Sequence, residues 1–585
     1  MKKVLSLLLV VVLCMSLFAA CSNGDTTTDE NNTTNEGTTN EGTTTPDEGT
    51  TEPSGDGETA LAADQTYVTY IGSEPMTLDL QLRSDTYSST ILTNTLEGLT
   101  RLAANENNDG YEYLPAGASD WKSNEDGTVW TFHLNDNYWS DGEPVTAQDY
   151  VYSVQRYVDP ATASPMGYRL NCLLNYDAVN SGEMPVEEIG VKAIDDKTLE
   201  VTLSAPTPYF LDLTHNLYFR PQRQDIVEQY GEKYGSEADT LVSCGPFTIT
   251  SWTHNSEITL VKNEQYWDAE NVTLDNITVK IITDTQTANN AFLNGELDYI
   301  STSAAEWIQQ FQNMEGTTYV SYPSATLTYS FFNCQDEIFS NANIRKAFIT
   351  GVDRVEINDM AFDGARIPTY GWVVPTLFCG DINFREYAGD PVQDMIDELE
   401  ANGQTPKDLL LQGMEELGLG NDPSTLDITF SLAGTDSWFR NMGEYLQQAY
   451  GASLGINLEI SFSEWGIFIS NVESGNYQIG FMGWGAGIND PYDVLSLHTS
   501  ESNAIYTGWS NADYDALIAE ASVTMDDVAR AALYKEAEDM LLKEYGVANP
   551  LATSVGNYFY RDYVTGYDTM PLSTLGYKYI QILEH

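Results

Sequence analysis

One stretch of this chain decides where folding can happen. From Ser22 to about Ala62 the sequence is built from Thr, Asn, Glu, Gly and Asp, and it holds no aromatic residue. It echoes itself in Asn35-Glu36-Gly37-Thr38-Thr39 and Asn40-Glu41-Gly42-Thr43-Thr44, and no basic residue occurs between Lys3 and Arg83. Such a segment has too little apolar surface to offset the entropy of ordering. Its unopposed negative charge favours extension, so it reads as a tether over 21–64. Packing must begin near Tyr67, and the remainder of a 585-residue chain is too long for one core. Two or more domains are expected.

What precedes the tether reads as an export signal, 1–20. Lys2 and Lys3 lead into an apolar run from Val4 to Leu13. That run is shorter than the ~18–20 residues needed to span a bilayer. Leu17-Phe18-Ala19-Ala20-Cys21 then resembles a bacterial lipoprotein processing site, in which Cys21 is lipidated and becomes the first residue. Phe18 stands where Leu is usual. The alternative is an ordinary secretory cleavage site beside an unmodified cysteine.

Charge excludes several functions. There are 87 acidic and 26 basic residues, a formal net charge of -61. Nucleic acid is not an expected partner, because phosphate recognition needs clustered Lys and Arg. Anionic lipid is disfavoured too, so membrane contact is expected through the lipid anchor only. At 42% hydrophobic residues the chain is globular overall. The 36 Tyr and 11 Trp suit packing on peptide side chains or stacking on sugars, although most belong in a core.

Catalytic patterns are missing. There is no G-x-S-x-G elbow, H-E-x-x-H helix or P-loop, and the five His are scattered. Cys172, Cys244, Cys334 and Cys379 lack metal-ligand spacing. Buried free thiols are expected there, with one or two disulfides as the alternative. Asn105 to Gly110 opens like a calcium loop, but Ala116 stands where the bidentate acid should be. It reads as a turn. Gly483-Trp484-Gly485-Ala486-Gly487 lacks dinucleotide-binding spacing, and its glycines suit close approach of a ligand backbone. No catalytic residue, metal or cofactor is expected. A hydrolase using two carboxylates is the competing class, and no motif supports it.

Strand and helix patterns intermix. Trp130, Phe132 and Leu134 alternate with polar residues, as do Leu199, Val201 and Leu203, and Ile277, Val279 and Ile281. Ala529, Leu533, Ala537 and Met540 line a helix that Thr524 and Asp527 are expected to cap. Mixed α/β lobes fit best.

Several segments carry a resemblance. Glu97-Gly98-Leu99-Thr100, the run Trp139 to Ser153 with Arg156 behind it, Cys244-Gly245-Pro246-Phe247, and Ile344-Arg345-Lys346-Ala347-Phe348 followed by Val352-Asp353-Arg354 occur in order. From about Tyr67 to about Pro550 the chain resembles the extracellular solute-binding proteins of family 5, the oligopeptide- and dipeptide-binding group of ABC importers. The resemblance implies a two-lobed periplasmic-binding-protein fold of the large three-domain form, with a ligand cleft between lobes. Lobe 1 would comprise 65–112, 239–325 and 556–585, with an inserted domain over 113–238. Lobe 2 would comprise 326–555. It implies a monomer at the outer face of the cytoplasmic membrane that captures a small solute, most simply an oligopeptide, for the permease subunits of an ABC transporter. An oligosaccharide is the alternative ligand, and a signalling receptor the alternative role.

The same resemblance implies site residues. Glu97, Gly98 and Leu99 would face the ligand from lobe 1. Phe481, Gly483, Trp484, Gly485, Ala486, Gly487 and Asp490 would face it from lobe 2, with Trp465 and Trp484 lining side-chain pockets. Peptide-binding members carry an Asp three residues after the Trp matching Trp484, where it pairs with the ligand's amino terminus. Here that residue is Gly487, and an Arg common three residues before the Trp is Phe481. Three consequences remain open: a peptide with a blocked or protruding terminus, another acid such as Glu97 or Asp490 in the role, or a different solute. Changing Gly487→Asp should alter affinity for free-amine peptides.

Overall fold

The computed structural model describes residues 60–585 except 436 and 503. The export signal, Cys21 and most of the tether lie outside the described residues.

The first sheet is assembled from distant segments. Strand β1 (Thr66–Ile71) runs parallel to β10 (Asn276–Ile281), which continues antiparallel through β9 (Glu257–Lys262) to β8 (Phe247–Thr253). Between them in sequence come the hairpin β2 (Thr100–Ala104) and β3 (Tyr111–Pro115), then a four-stranded sheet. That sheet holds β4 (Ala118–Ser123), β5 (Val129–Leu134), β6 (Val191–Asp195) and β7 (Thr198–Thr202) in the order β4-β5-β7-β6. The alternations read from sequence are the buried faces of β5, β7 and β10. Asn105 to Gly110 is the turn of the β2–β3 hairpin, where Asn105 Nδ2 donates to Asp109 Oδ1 at 2.9 Å.

The long signature after Trp139 is structural. Helix α1 (Ala147–Val158) starts at a capping box, with Thr146 N–H donating to Asp149 Oδ2 at 2.8 Å. Arg156, in the last turn, holds the buried Asp79 at 2.6 Å. Tyr150, Val151 and Val154 enter the same core as β5 and β10.

A second core forms around a seven-stranded sheet. Its strands are β11 (Tyr299–Ser301), β12 (Thr317–Phe332), β13 (Arg366–Pro368), β14 (Ile428–Leu432), β15 (Leu458–Phe462), β16 (Ile479–Gly485) and β17 (Ala548–Arg561). The order is β11-β17-β12-β16-β14-β15, with β13 beside β17. Helices α2 (Ala342–Thr350) and α3 (Arg354–Ala361) bury Arg345 and Arg354 from the Arg-x-Ala-Phe and Asp-Arg motif. Both guanidiniums donate to backbone carbonyls, among them Tyr545 and Pro550.

The chain runs between the two cores on β12 and β17. These long strands pair antiparallel from Thr317↔Arg561 to Phe331↔Ala548, with a register shift between Pro323 and Leu327. Before the shift Val320, Tyr558 and Tyr560 pack on the first core; after it Leu327, Tyr329 and Phe331 build the second. We call the two bodies lobe 1 and lobe 2.

One expectation shifts by a residue or two. The C-terminal helix α6 spans Asp527–Asp539, and its cap is Asp526, whose carboxylate accepts from Ala529 N–H at 2.8 Å. Thr524 instead donates to Glu520 O, closing the preceding helix. The buried face carries Ala531, Tyr534 and Ala537, with Ala529 exposed. Among the described residues, Cys172, Cys244, Cys334 and Cys379 are free thiols. Among the same residues no helix is long and apolar enough to cross a membrane.

Candidate functional site

The glycine run sits where lobe 2 has a strand edge to spare. Strand β16 pairs with β12 over its full length, from Phe332↔Ile479 to Thr326↔Gly485. On its other side it pairs with β14 only at Phe430↔Ile479 and Ser431↔Gly480. Beyond Leu432 that edge is open. Ala486 N–H donates to Ala325 O at 2.8 Å, which fixes the alternation of the ladder. Trp484 is then bonded to β12, while Gly483 and Gly485 turn their N–H and C=O groups to the open edge. Both glycines are exposed. Glycine puts no side chain of its own beside these donors and acceptors, so an extended ligand backbone can pair with them.

The loop after β16 crosses to lobe 1. Ile488 is buried in the lobe 1 core, and the Tyr492 ring stacks on Tyr209 with centroids 4.7 Å apart. Asn216 Nδ2 donates to Gly487 O at 3.2 Å. Gly487 N–H donates to Asp493 Oδ2 at 2.7 Å, and the other oxygen of Asp493 pairs with Arg169. Arg169 Nη2 lies 3.6 Å from where a Cβ at position 487 would be. The protein's own guanidinium thus occupies the neighbourhood in which the resemblance put a carboxylate for a ligand's ammonium. Arg169 is held well above its ordinary pKa by Asp493, against the pull of burial.

Asp490 is buried between Arg530 of lobe 2 and Asp212 and Tyr113 of lobe 1. Its carboxylate accepts from Tyr492 N–H at 2.9 Å and lies 3.3 Å from Arg530. Burial pushes its pKa up to about 7, with Arg530 opposing. Phe481 is also buried and packs near Trp438. Both side chains are buried, Phe481 in the lobe 2 core and Asp490 between groups of both lobes. Trp484 is half-buried, and its indole N–H is buried without a hydrogen-bond partner among the described residues. Trp465 begins helix α5 (Trp465–Glu473) and is 57% exposed, supported by Phe468 at 6.0 Å.

Glu97, Gly98 and Leu99 lie elsewhere. All three are buried. The Glu97 carboxylate is 3.1 Å from Arg101 and accepts from Tyr266 OH. Gly98 O accepts from Gly117 N–H and Leu99 N–H donates to Thr214 O. Their backbone is sewn into lobe 1, so no group of this segment reaches the edge at Gly483 and Gly485. Residues missed from sequence are Arg169, Asp493, Asn216 and Tyr209. The one available signal was scarcity: with 26 basic residues in the chain, an arginine in a loop is costly to overlook.

Comparison with known proteins agrees with this architecture. The oligopeptide-binding protein OppA of Bacillus subtilis (strain 168) is 33% identical over 519 residues, 88% of this chain and 91% of the relative. The structure is similar to the substrate-binding domain of an oligopeptide ABC transporter from Bacillus anthracis, at TM-score 0.70 and 29% identity, covering 90% of this chain and 100% of that one. It is similar also to the Escherichia coli murein tripeptide binding protein MppA, at TM-score 0.73 and 26% identity, with the same coverages. The profile of the bacterial extracellular solute-binding proteins, family 5, matches residues 112–506. The chain belongs to that family.

Proposed function

We propose that this protein captures extended oligopeptides by strand addition at Gly483 and Gly485 and delivers them to the permease subunits of an ABC importer. The open edge of β16 carries this reading, since main-chain pairing gives affinity while tolerating many side chains. The relatives' names, which specify oligopeptides and a murein tripeptide, support the ligand class. Cys21 anchors the chain by lipid to the outer face of the cytoplasmic membrane, and the tether carries the lobes outward. The protein acts as a monomer. Lobe 2 moves against lobe 1 about 325/326 and 555/556, a partition supported by the register shift between Pro323 and Leu327. Trp465 and Trp484 receive ligand side chains. Glu97, Gly98 and Leu99 shape lobe 1 behind the cleft, and Asp490 and Phe481 support the loop.

Arg169 beside Gly487 refines the ligand. A free ammonium placed there would meet the half-buried Arg169 guanidinium, so the peptide's amino terminus is blocked or lies beyond Gly487. The first experiment is native mass spectrometry of the purified chain with release of co-purified ligands. A ladder of peptide masses is expected, and hexose-spaced masses alone would overturn the reading. Titration with matched acetylated and free-amine peptides should favour the acetylated form; a clear preference for the free amine would overturn the assignment at Gly487.

A further inference from the structure

Lobe 2 holds a recess separate from the strand edge. It is open to solvent and offers about 880 Å³ between α5 and the sheet, and its lining comes entirely from lobe 2 and includes none of residues 483–490. Parallel strands buried on both faces are ordinarily apolar throughout. Here β14 reads Ile428-Thr429-Phe430-Ser431-Leu432, and its parallel neighbour β15 reads Leu458-Glu459-Ile460-Ser461-Phe462. One face is covered by helix α4 (Ser437–Leu454), whose Gly443 lies against Ile460 and Phe462. The other face points beneath α5 and presents Thr429, Ser431 and Ser461, with Ser463 following. Thr429, Ser431 and Ser463 are half-buried and Ser461 is exposed, and all four line the recess. An alternating pattern under a helix marks a face kept for something polar.

A second observation lies on the rim. Tyr506 has φ +57°, a conformation that bulky L-residues rarely adopt. Its carbonyl is locked by Tyr477 OH at 2.7 Å, so the surrounding structure imposes the strain. Strain of this kind concentrates at ligand clamps. The consequence is an aromatic ring held beside the hydroxyl face.

The lining chemistry narrows the occupant. It contains no Lys, Arg or His, and Asp336, Glu337 and Glu473 lie at its border, so an anion is excluded. Asp336 already accepts from Ile338 and Phe339 N–H, and Glu337 and Glu473 are exposed to water, so no buried acid waits for a cation. What remains are hydroxyls that both donate and accept, neighbouring amides, and an aromatic ring. We infer that this recess is a second binding site, for a neutral polyhydroxylated ligand of one or two sugar rings, distinct from the peptide edge. The volume suits that size.

Saturation-transfer NMR on the full chain, with cellobiose, maltose and N,N′-diacetylchitobiose at millimolar concentration, tests this. Transfer to at least one disaccharide is expected, and it should survive saturation with peptide. The isosteric Thr429→Val combined with Ser461→Ala should weaken it about tenfold while leaving thermal stability and peptide affinity intact. Tyr506→Asn, which accepts the positive φ, should abolish it without lowering the melting temperature. Sedimentation with insoluble wall glycan separates a polymer-borne sugar from a free one, and either assigns the site. No transfer to any disaccharide, transfer displaced by peptide, or transfer indifferent to both variants would overturn the inference.

Discussion

Two short segments resembled family landmarks in the sequence, Glu97–Leu99 and Gly483–Gly487, and the structure treats them oppositely. The first is internal to lobe 1: the carbonyls of Gly98 and Leu99 accept from Gly117 and Ala118 N–H, Leu99 N–H donates to Thr214 O, and the Glu97 carboxylate is shared by Arg101 and Tyr266. The second is half-finished. Gly483 and Gly485 keep backbone donors and acceptors on an exposed edge, where β14 ends one residue past its last pairing with β16. A segment buried and bonded within its own lobe positions its neighbours, whereas one with backbone groups on an exposed edge can bind. The contrast predicts that changes at the first segment damage stability and changes at the second damage affinity.

The largest effect should come from Glu97→Ala. Arg101 and Arg220 are both buried, and Arg220 is already pulled down to about 10 by burial and by Arg101. Removing the carboxylate between them leaves uncompensated cations, which typically costs about 3–5 kcal/mol. Thermal and denaturant unfolding would read this directly. A melting temperature unchanged from the native chain would break the comparison, because it would mean that Glu97 is free to act elsewhere.

This division also explains what sequence could and could not convey. Alternation marked β5, β7 and β10 because each has one buried face, whereas the Thr146–Asp149 box that starts α1 became evident only in the structure. Intermixed strand and helix patterns gave the mixed α/β class, while the two-lobed form came from the resemblance of the motifs to the family. The interlobe contact was not. Arg169 and Asp493 are 324 residues apart, and nothing in either neighbourhood encodes the meeting. The hydroxyl face beneath α5 required knowing that β14 and β15 are adjacent and parallel. The cap of α6 slipped because Thr524, Asp526 and Asp527 are all competent caps, and the choice depends on where the previous helix ends.

Asp490 tests the loop behind the glycines. Facing it are Arg530, Asp212, Tyr113, Tyr534 and the Tyr492 N–H. Its pKa is raised by burial to about 7, so the fold favours the protonated form. The resulting stability is full below the ordinary carboxylate range near about 4 and is lost as pH rises through about 7. Between about pH 5 and about pH 8 this amounts to on the order of 2 kcal/mol. Asp490→Asn should flatten that part of the stability profile and leave peptide affinity nearly unchanged. A variant whose profile keeps the native slope would assign the pH dependence to another acid.

The edge itself is probed by Gly485→Pro. Proline fits an extended edge position and removes only the outward N–H. A tenfold loss of peptide affinity, about 1.4 kcal/mol, is expected in calorimetry, with little change in melting temperature. Unchanged affinity would show that ligand does not pair at this edge, and the comparison would lose its binding half.

The smallest effect should be at Trp465, and it sharpens the difference between backbone and side-chain recognition. The ring is 57% exposed and leans on Phe468, so Trp465→Ala removes little packing and should barely alter stability. If strand pairing supplies most of the affinity, the loss of one pocket wall costs roughly 0.5–1 kcal/mol, a few-fold weakening. That weakening should depend on ligand. Peptides with a bulky side chain at the matching position should lose affinity, while glycine-rich peptides bind the variant as they bind the native chain. A uniform loss across both sets would mean that Trp465 supports the edge rather than a pocket, and that tolerance for many side chains has another source.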